Sequence, residues 1–243
     1  MRIENSVALV TGAGRGLGRA ITSELARRGA RTIYGGARNP TAITDPGVEP
    51  VALDITDPVQ VARAAVACSD VDLLINNAGV LTSRPLIGAP DLAGARLEMD
   101  VNYFGTLGMC RAFAPVLADN GGGALVNMLS IVSFFTNPEN GTYSASKAAE
   151  WAMTNGVRIE LARQQTLVVG VHAGFIDTDM SARIDVPKIS PQDVARQMLD
   201  AVEEGLTEVL ADERTRQVKA GLSRDHELIY PGVQARWDAA HPG

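Results

Sequence analysis

The sequence predicts one α/β domain, a doubly wound, mostly parallel sheet with helices on both faces. Strand and helix patterns alternate from end to end and no linker divides them, the order that builds a parallel sheet. Val7-Ala8-Leu9-Val10 is a continuous apolar run, as a strand buried on both faces requires. A glycine-rich turn follows it and leads into an amphipathic helix, the opening unit of such a sheet. The 243 residues, 46% hydrophobic and 21% charged, suit a single domain spanning 1–243.

Composition narrows the function classes. A formal charge of -6 and a pI near 5.1 leave no basic field for a polyanion, so no nucleic-acid partner is expected. Met1 to Ser6 lead straight into a strand pattern with no signal core, and charges or turn residues interrupt every later apolar run. No membrane partner is expected, and the chain is placed in the cytoplasm. Cys68 and Cys110 lie in helix-like apolar patterns and read as free, buried thiols. His172, His226 and His241 are scattered, so no metal site is expected.

Along the chain, Thr11-Gly12-Ala13-Gly14-Arg15-Gly16-Leu17-Gly18 forms the turn after the first strand. Leu17, Ile21 and Leu25 then fall four apart on one helix face, and Gly29 ends the helix. Residues without a Cβ let the backbone approach a pyrophosphate, whose charge the free N–H groups of a helix N-terminus stabilise. Gly12, Gly14, Arg15, Gly16, Leu17 and Gly18 are therefore candidate dinucleotide contacts in a Rossmann-like unit. The second strand, Arg31 to Gly35, runs into Gly36-Ala37-Arg38-Asn39. An NAD site sets a carboxylate about 20 residues after the glycines for the ribose 2′-hydroxyl. Here no acid lies between Glu24 and Asp45, and Arg38 stands in that region, with Arg15 available from the turn. Two guanidiniums can fork onto a 2′-phosphate, so NADP(H) is preferred over NAD(H).

From Gly36 to Val48 no helical period is present, and a loop or a short turn is expected. A strand from Pro50 to Leu53 ends at Asp54-Ile55, where Asp54 either bonds the adenine amine or caps the following turn. Pro58 opens a helix through Val61, Ala65 and Cys68. A strand from Asp72 to Ile75 then meets Asn76-Asn77-Ala78-Gly79, small and amide residues suited to close approach by a ligand. Further on, Tyr143 and Lys147 are four residues apart. On a helix they share one face, about 5–6 Å apart at Cβ. An ammonium beside a phenol favours the phenolate, lowering the phenol from about 10 toward a usable acid.

Together these stretches resemble the short-chain dehydrogenase/reductase family, in its short single-domain branch, from about Val7 to Thr178. The turn from Thr11 to Gly18 is similar to that family's cofactor turn, and Asn76 to Gly79 to its Asn-Asn-Ala-Gly motif. Asn102 in Asp100-Val101-Asn102-Tyr103 matches the helix asparagine, Ser130 after Leu125-Val126-Asn127-Met128-Leu129 the serine, and Tyr143 with Lys147 the pair. The resemblance implies a hydride exchanged between NADP(H) and a ketone, aldehyde or secondary alcohol. It makes Tyr143 the general acid or base and Lys147 the group that lowers its pKa and bonds the nicotinamide ribose. Ser130 would hold the substrate oxygen, and Asn102 a relay water. It further implies cofactor contact by Asp54, Ile55, Asn77, Ala78 and Gly79, and by Gly174, Ile176 and Thr178, where Ala173 replaces the family's usual proline.

The family's substrate lid falls at 179–190 and is short here, which suggests an open pocket. Phe134, Phe135 and Phe175 either line it, favouring an apolar or aromatic substrate, or belong to the core. The tail at 212–243 carries no family motif and is a candidate subunit contact. The family commonly assembles through the helices around Asn102 and Tyr143, so a homodimer or homotetramer is expected, with Trp151 and Met153 adding apolar area. The rival reading is a catalytically silent NADP(H)-binding regulatory protein, against which the full set of Asn102, Ser130, Tyr143 and Lys147 argues.

Overall fold

The computed structural model describes residues 1–182 and 185–241. Its first unit is β1 (Val7–Thr11) and α1 (Gly16–Arg27), followed by β2 (Thr32–Ala37), β3 (Val48–Ala52), α2 (Pro58–Ala67) and β4 (Leu73–Asn76). Then come α3 (Ala93–Glu98), α4 (Thr106–Asp119), β5 (Ala124–Met128), α5 (Gly141–Glu160) and β6 (Leu167–His172). The chain finishes with α6 (Pro191–Glu204), β7 (Glu208–Leu210), α7 (Glu213–Ala220), α8 (Asp225–Leu228) and α9 (Tyr230–Ala240). All strands pair in parallel in one seven-stranded sheet of order β3-β2-β1-β4-β5-β6-β7.

The continuous apolar run of β1 is explained by cover on both faces. Ala8 and Val10 pack into one core with Ile21, Leu25, Val194, Met198 and Val202 of α1 and α6. Val7 and Leu9 point the other way, into a core with Val61, Ala64, Phe113 and Leu117 of α2 and α4. Leu17, Ile21 and Leu25 are buried on α1 as the four-residue spacing predicts. Between β2 and β3 there is only a short turn, Pro40–Ala42, opened by Asn39, whose side-chain oxygen accepts from the Thr41 N–H.

Strand boundaries differ from expectation by one or two residues in several places; β4, for instance, spans Leu73–Asn76 rather than 72–75. β2 continues through Gly35, Gly36 and Ala37, because small residues are what its neighbours admit: a Cβ on Gly35 would meet Val48 at 2.8 Å, and one on Gly36 would meet Leu53 at 2.8 Å. The third strand begins two residues earlier, at Val48, and Leu53 lies just beyond it.

The chain order reverses between β1 and β4, whose carboxyl ends therefore border a crevice, the place where open parallel sheets bind ligands. Thr11 stitches the crevice floor: its hydroxyl accepts from the N–H groups of Asn77 (2.9 Å) and Ala78 (3.0 Å), and its carbonyl accepts from the Asn77 amide (2.9 Å).

Candidate active site

A single cleft of about 1770 Å³ runs from Arg38 and Asp54 at one end, past the glycine turn, to Ser130, Tyr143, Lys147, Phe135 and Phe175 at the other. Every sequence-predicted contact lines it: Gly12, Gly14, Arg15, Gly16, Leu17, Gly18, Arg38, Asp54, Ile55, Asn77, Ala78, Gly79, Gly174, Ile176 and Thr178.

The glycines fit a dinucleotide for stated geometric reasons. Gly12 (φ +67°) and Gly16 (φ +53°) occupy the left-handed region, and a Cβ on Gly18 would stand 2.1 Å from the Gly12 carbonyl oxygen. Only Gly at 18 lets the helix start so close beneath the turn. Thr178 abuts the same turn, its methyl 3.3 Å from where a Gly16 Cβ would sit. Arg15 and Arg38 are exposed on the cleft rim, and neither joins an ion pair among the described residues, whereas Arg19 between them in sequence is bound to Asp45 at 2.8 Å. Asp54 does cap the turn after it, accepting from the Thr56 N–H (3.0 Å) and hydroxyl (2.7 Å), and it lines the cleft as well.

At the other end, α5 carries Tyr143, Lys147, Glu150 and Thr154 down one side at spacings of four, three and four, a polar stripe that turns inward. The Lys147 ammonium donates to the Met128 carbonyl (2.8 Å) and the Glu150 carboxylate (2.7 Å), and lies 6.0 Å from the centre of the Tyr143 ring. Burial works against that ammonium, but the Glu150 carboxylate and the Tyr143 phenol together hold Lys147 above its ordinary range.

The expected lowering of Tyr143 is corrected here. Burial raises the phenol, Lys147 opposes the rise, and Glu150 then adds to it. The Ser130 hydroxyl opposes it too, and the net direction is upward. The lysine's charge is present but shared with a carboxylate, which the Tyr-x-x-x-Lys spacing alone does not reveal. Glu150 is the residue that sequence reasoning missed. The signal was there, an acid on the same inward face three residues after Lys147.

Asn102 sits in a π-helical segment, Met99–Gly105, between α3 and α4. Such a bulge, frequent at functional sites, turns a helical side chain out of register. Its amide oxygen accepts from the Val80 N–H (2.8 Å), and its NH₂ donates to the Val80 carbonyl (3.0 Å) and the Ser146 hydroxyl (2.9 Å). The side chain is thus committed to fixing the loop after β4 against α5, and any water held at Asn102 would have to use its main chain. Ser130 lies two residues beyond β5 and opens a short turn, with its hydroxyl accepting from the Val132 N–H (3.3 Å).

His172 proves to be near Ser130, but its Nδ1 faces the Ser130 backbone carbonyl (3.1 Å) rather than the hydroxyl. It supports the loop and does not activate a nucleophile. The ring stacks on Phe134 at 4.2 Å between centroids and meets Trp151 edge-on at 6.2 Å. Lys219, paired with Glu208, lies over both Phe134 and Trp151. Of the two readings open for the phenylalanines, the core holds for Phe134, while Phe135 and Phe175 line the cleft; Trp151 packs edge-on against Phe134.

Burial pushes His172 down to about 4, below an unfolded value near 6.5. The folded protein therefore resists a proton that the unfolded chain accepts, and stability present above about pH 6.5 is lost as pH falls toward 4. The loss expected is about 3 kcal/mol. In urea unfolding at about pH 7 and 4.5, His172→Phe, which keeps the stacking on Phe134, should show about 2 kcal/mol less acid destabilisation than the parent. An equal acid loss in both proteins would contradict the assignment.

The segment after β6 departs from a pure cofactor loop. The Gly174 N–H donates to Asp212 (2.6 Å), so that donor serves the protein, while Ile176 bridges to Ile189. In the expected lid, 179–190, a short turn spans Asp179–Ser181, and 183–184 lie outside the described residues. The C-terminal tail folds onto its own chain: Val233, Tyr230 and Val218 pack with Ile131, Val132 and Phe135, and Arg214 and Arg236 reach the cleft. Positions 242–243 of the tail lie outside the described residues. Among the described residues no group of His, Cys, Asp and Glu could hold a metal ion, and no helix is long and apolar enough to cross a membrane.

A parallel sheet with a glycine cradle at its switch point, and a Ser, Tyr and Lys set opening into the same cleft, define a nucleotide-dependent oxidoreductase. The short chain dehydrogenase family matches residues 6–188, and the chain belongs to it. A short chain dehydrogenase from Burkholderia cenocepacia, solved in complex with NADP, is 45% identical, with a TM-score of 0.92 over 96% of this chain and 99% of that one. The 1-deoxy-11-beta-hydroxypentalenate dehydrogenase of Streptomyces avermitilis is 30% identical, over 97% of this chain and 88% of its own length. An uncharacterized oxidoreductase of Staphylococcus aureus is 30% identical over 82% of this chain and 92% of its own.

Proposed function

We propose that this protein is an NADP(H)-dependent carbonyl reductase or alcohol dehydrogenase in which Tyr143 moves the proton. The observation that carries the reading is the convergence of Ser130, Tyr143 and Lys147 in one cleft with the glycine turn. The cofactor supplies the hydride when bound. The chain's residues do the rest. Gly12 to Gly18 and the N-terminus of α1 receive the pyrophosphate, and Arg15 and Arg38 hold the 2′-phosphate by forked hydrogen bonds. Ser130 holds the substrate oxygen where charge develops, and Tyr143 donates a proton to it in reduction or removes one in oxidation. Lys147 keeps one ammonium proton for the ribose after serving Met128 and Glu150. The bound NADP of the Burkholderia relative supports the choice of cofactor.

Val132, Phe135, Phe175 and Met180 at the substrate end support an apolar or aromatic carbonyl, with Arg214 and Arg236 at the rim. The half-exposed Leu97 and Phe104, on the helical segments around Asn102, support a homodimer or homotetramer, and the acidic composition supports a cytoplasmic protein. The test is a panel of ketones, aldehydes and ketoesters, with steroids and acyl-carrier thioesters included, followed by NADPH absorbance. At least one member should be reduced. A folded, NADPH-binding protein inert across the panel would favour the silent regulator.

A further inference from the structure

The carboxylate of Glu150 is 1% exposed, in contact with the lysine of the site, and unused by the proposed chemistry. An ammonium has three protons to give. One of Lys147's goes to Glu150 at 2.7 Å and one to the Met128 carbonyl at 2.8 Å, and the ammonium stands 6.0 Å from the centre of the Tyr143 ring. Burying a charged pair costs solvation on both partners, so a pair kept within the catalytic helix has to be weighed for what it does to its neighbours.

We propose that Glu150 is a positioning residue that draws the Lys147 ammonium back from Tyr143 and offsets its charge, biasing the site toward proton donation and therefore toward carbonyl reduction. This rests on the function proposed above. A Lys–Glu pair presents a dipole to the phenol where a lone lysine would present a full charge, and the attraction that would expel the phenolic proton shrinks accordingly. The groups facing Tyr143 are consistent with this: Lys147 and Glu150 from its own helix, Glu98 from α3, and the uncharged Ser130 after β5. Glu98 is fully buried, and its second carboxylate oxygen has no partner among the described residues. Facing Glu150 from α4 are the Thr106 hydroxyl and the Cys110 thiol, and that thiol is pushed up to about 12, first by burial and then by Glu150. From β6, His172 is neutral at physiological pH.

The test reads the phenol without turnover, so that it fails or succeeds separately from the proposed reaction. Tyrosinate absorbance is titrated in the ligand-free protein, and the Tyr143→Phe titration is subtracted to isolate one of the four tyrosines. In the parent, less than half of Tyr143 should be ionised at pH about 10, the midpoint of an ordinary phenol. In Glu150→Gln, which keeps a hydrogen-bond acceptor and removes the charge, ionisation should move down by about one pH unit, and the acid limb of alcohol oxidation should move with it. An unchanged or raised ionisation in Glu150→Gln overturns the proposal. If that variant does not fold, the parent decides, and a phenol more than half ionised at pH about 10 overturns it as well. A Tyr143→Phe enzyme that still turns over would defeat the proposed function while leaving this titration readable.

Discussion

Replacing Tyr143 by Phe is expected to lower carbonyl reduction by about 10²- to 10⁴-fold, the worth of a positioned acid, while folding and NADPH affinity change little. The substitution removes one oxygen and keeps the ring in its place on the inward face of α5. Other substitutions in the set should separate by pattern. Ser130→Ala should reduce turnover with cofactor binding nearly intact. Lys147→Ala should weaken both, and should also leave the fully buried Glu150 without its cation, so it is expected to destabilise the fold. Steady-state kinetics beside cofactor titration distinguish these outcomes, and a Tyr143→Phe protein reducing its best ketone at near the parent rate would contradict the assignment of the proton.

The second large effect concerns the cofactor. Arg38 stands exposed on the cleft rim just past β2, where an NAD site places a carboxylate, and it joins no ion pair among the described residues. Arg38→Asp removes a guanidinium able to fork onto the 2′-phosphate and adds a charge that repels it, while offering the ribose 2′-hydroxyl an acceptor. The ratio of NADPH to NADH affinity should fall by at least about tenfold to a hundredfold, because a hydrogen bond to a charged group carries that much. Cofactor fluorescence titration measures it. An unchanged ratio would mean that Arg15, or some other group, holds the phosphate alone.

Much of this site was legible in the chain because its chemistry is local. A turn such as Gly12 to Gly18 needs residues without a Cβ at fixed offsets, and the pair Tyr143 and Lys147 needs one helical turn, so spacing alone carries both. The sheet was legible for the same reason, since Val7 to Val10 must be apolar on both faces to be covered on both. What escaped depends on contacts distant in sequence or on competition between charges. The choice between cleft and core for Phe134 is one such case: it goes to the core because His172 and Trp151 converge on it from β6 and α5, far along the chain. β7 is three residues long, too short for a period to declare it. The raised phenol follows from burial and from Glu150, and a rule built on the lysine alone gives the opposite sign. The tail carried no motif because its role is packing: Val233 and Tyr230 close on the loop after Ser130 through apolar contact that many residues could supply.

The most direct test of the account is to follow the hydride itself. The parent protein is loaded with NADPH carrying deuterium at the transferring position of the nicotinamide, mixed with the best substrate of the panel in a single turnover, and the alcohol product is analysed by mass and by NMR. Deuterium on the former carbonyl carbon, matched mole for mole by loss of NADPH absorbance, is the predicted result. An alcohol with only solvent hydrogen at that carbon, or NADPH consumed without labelled product, would contradict it.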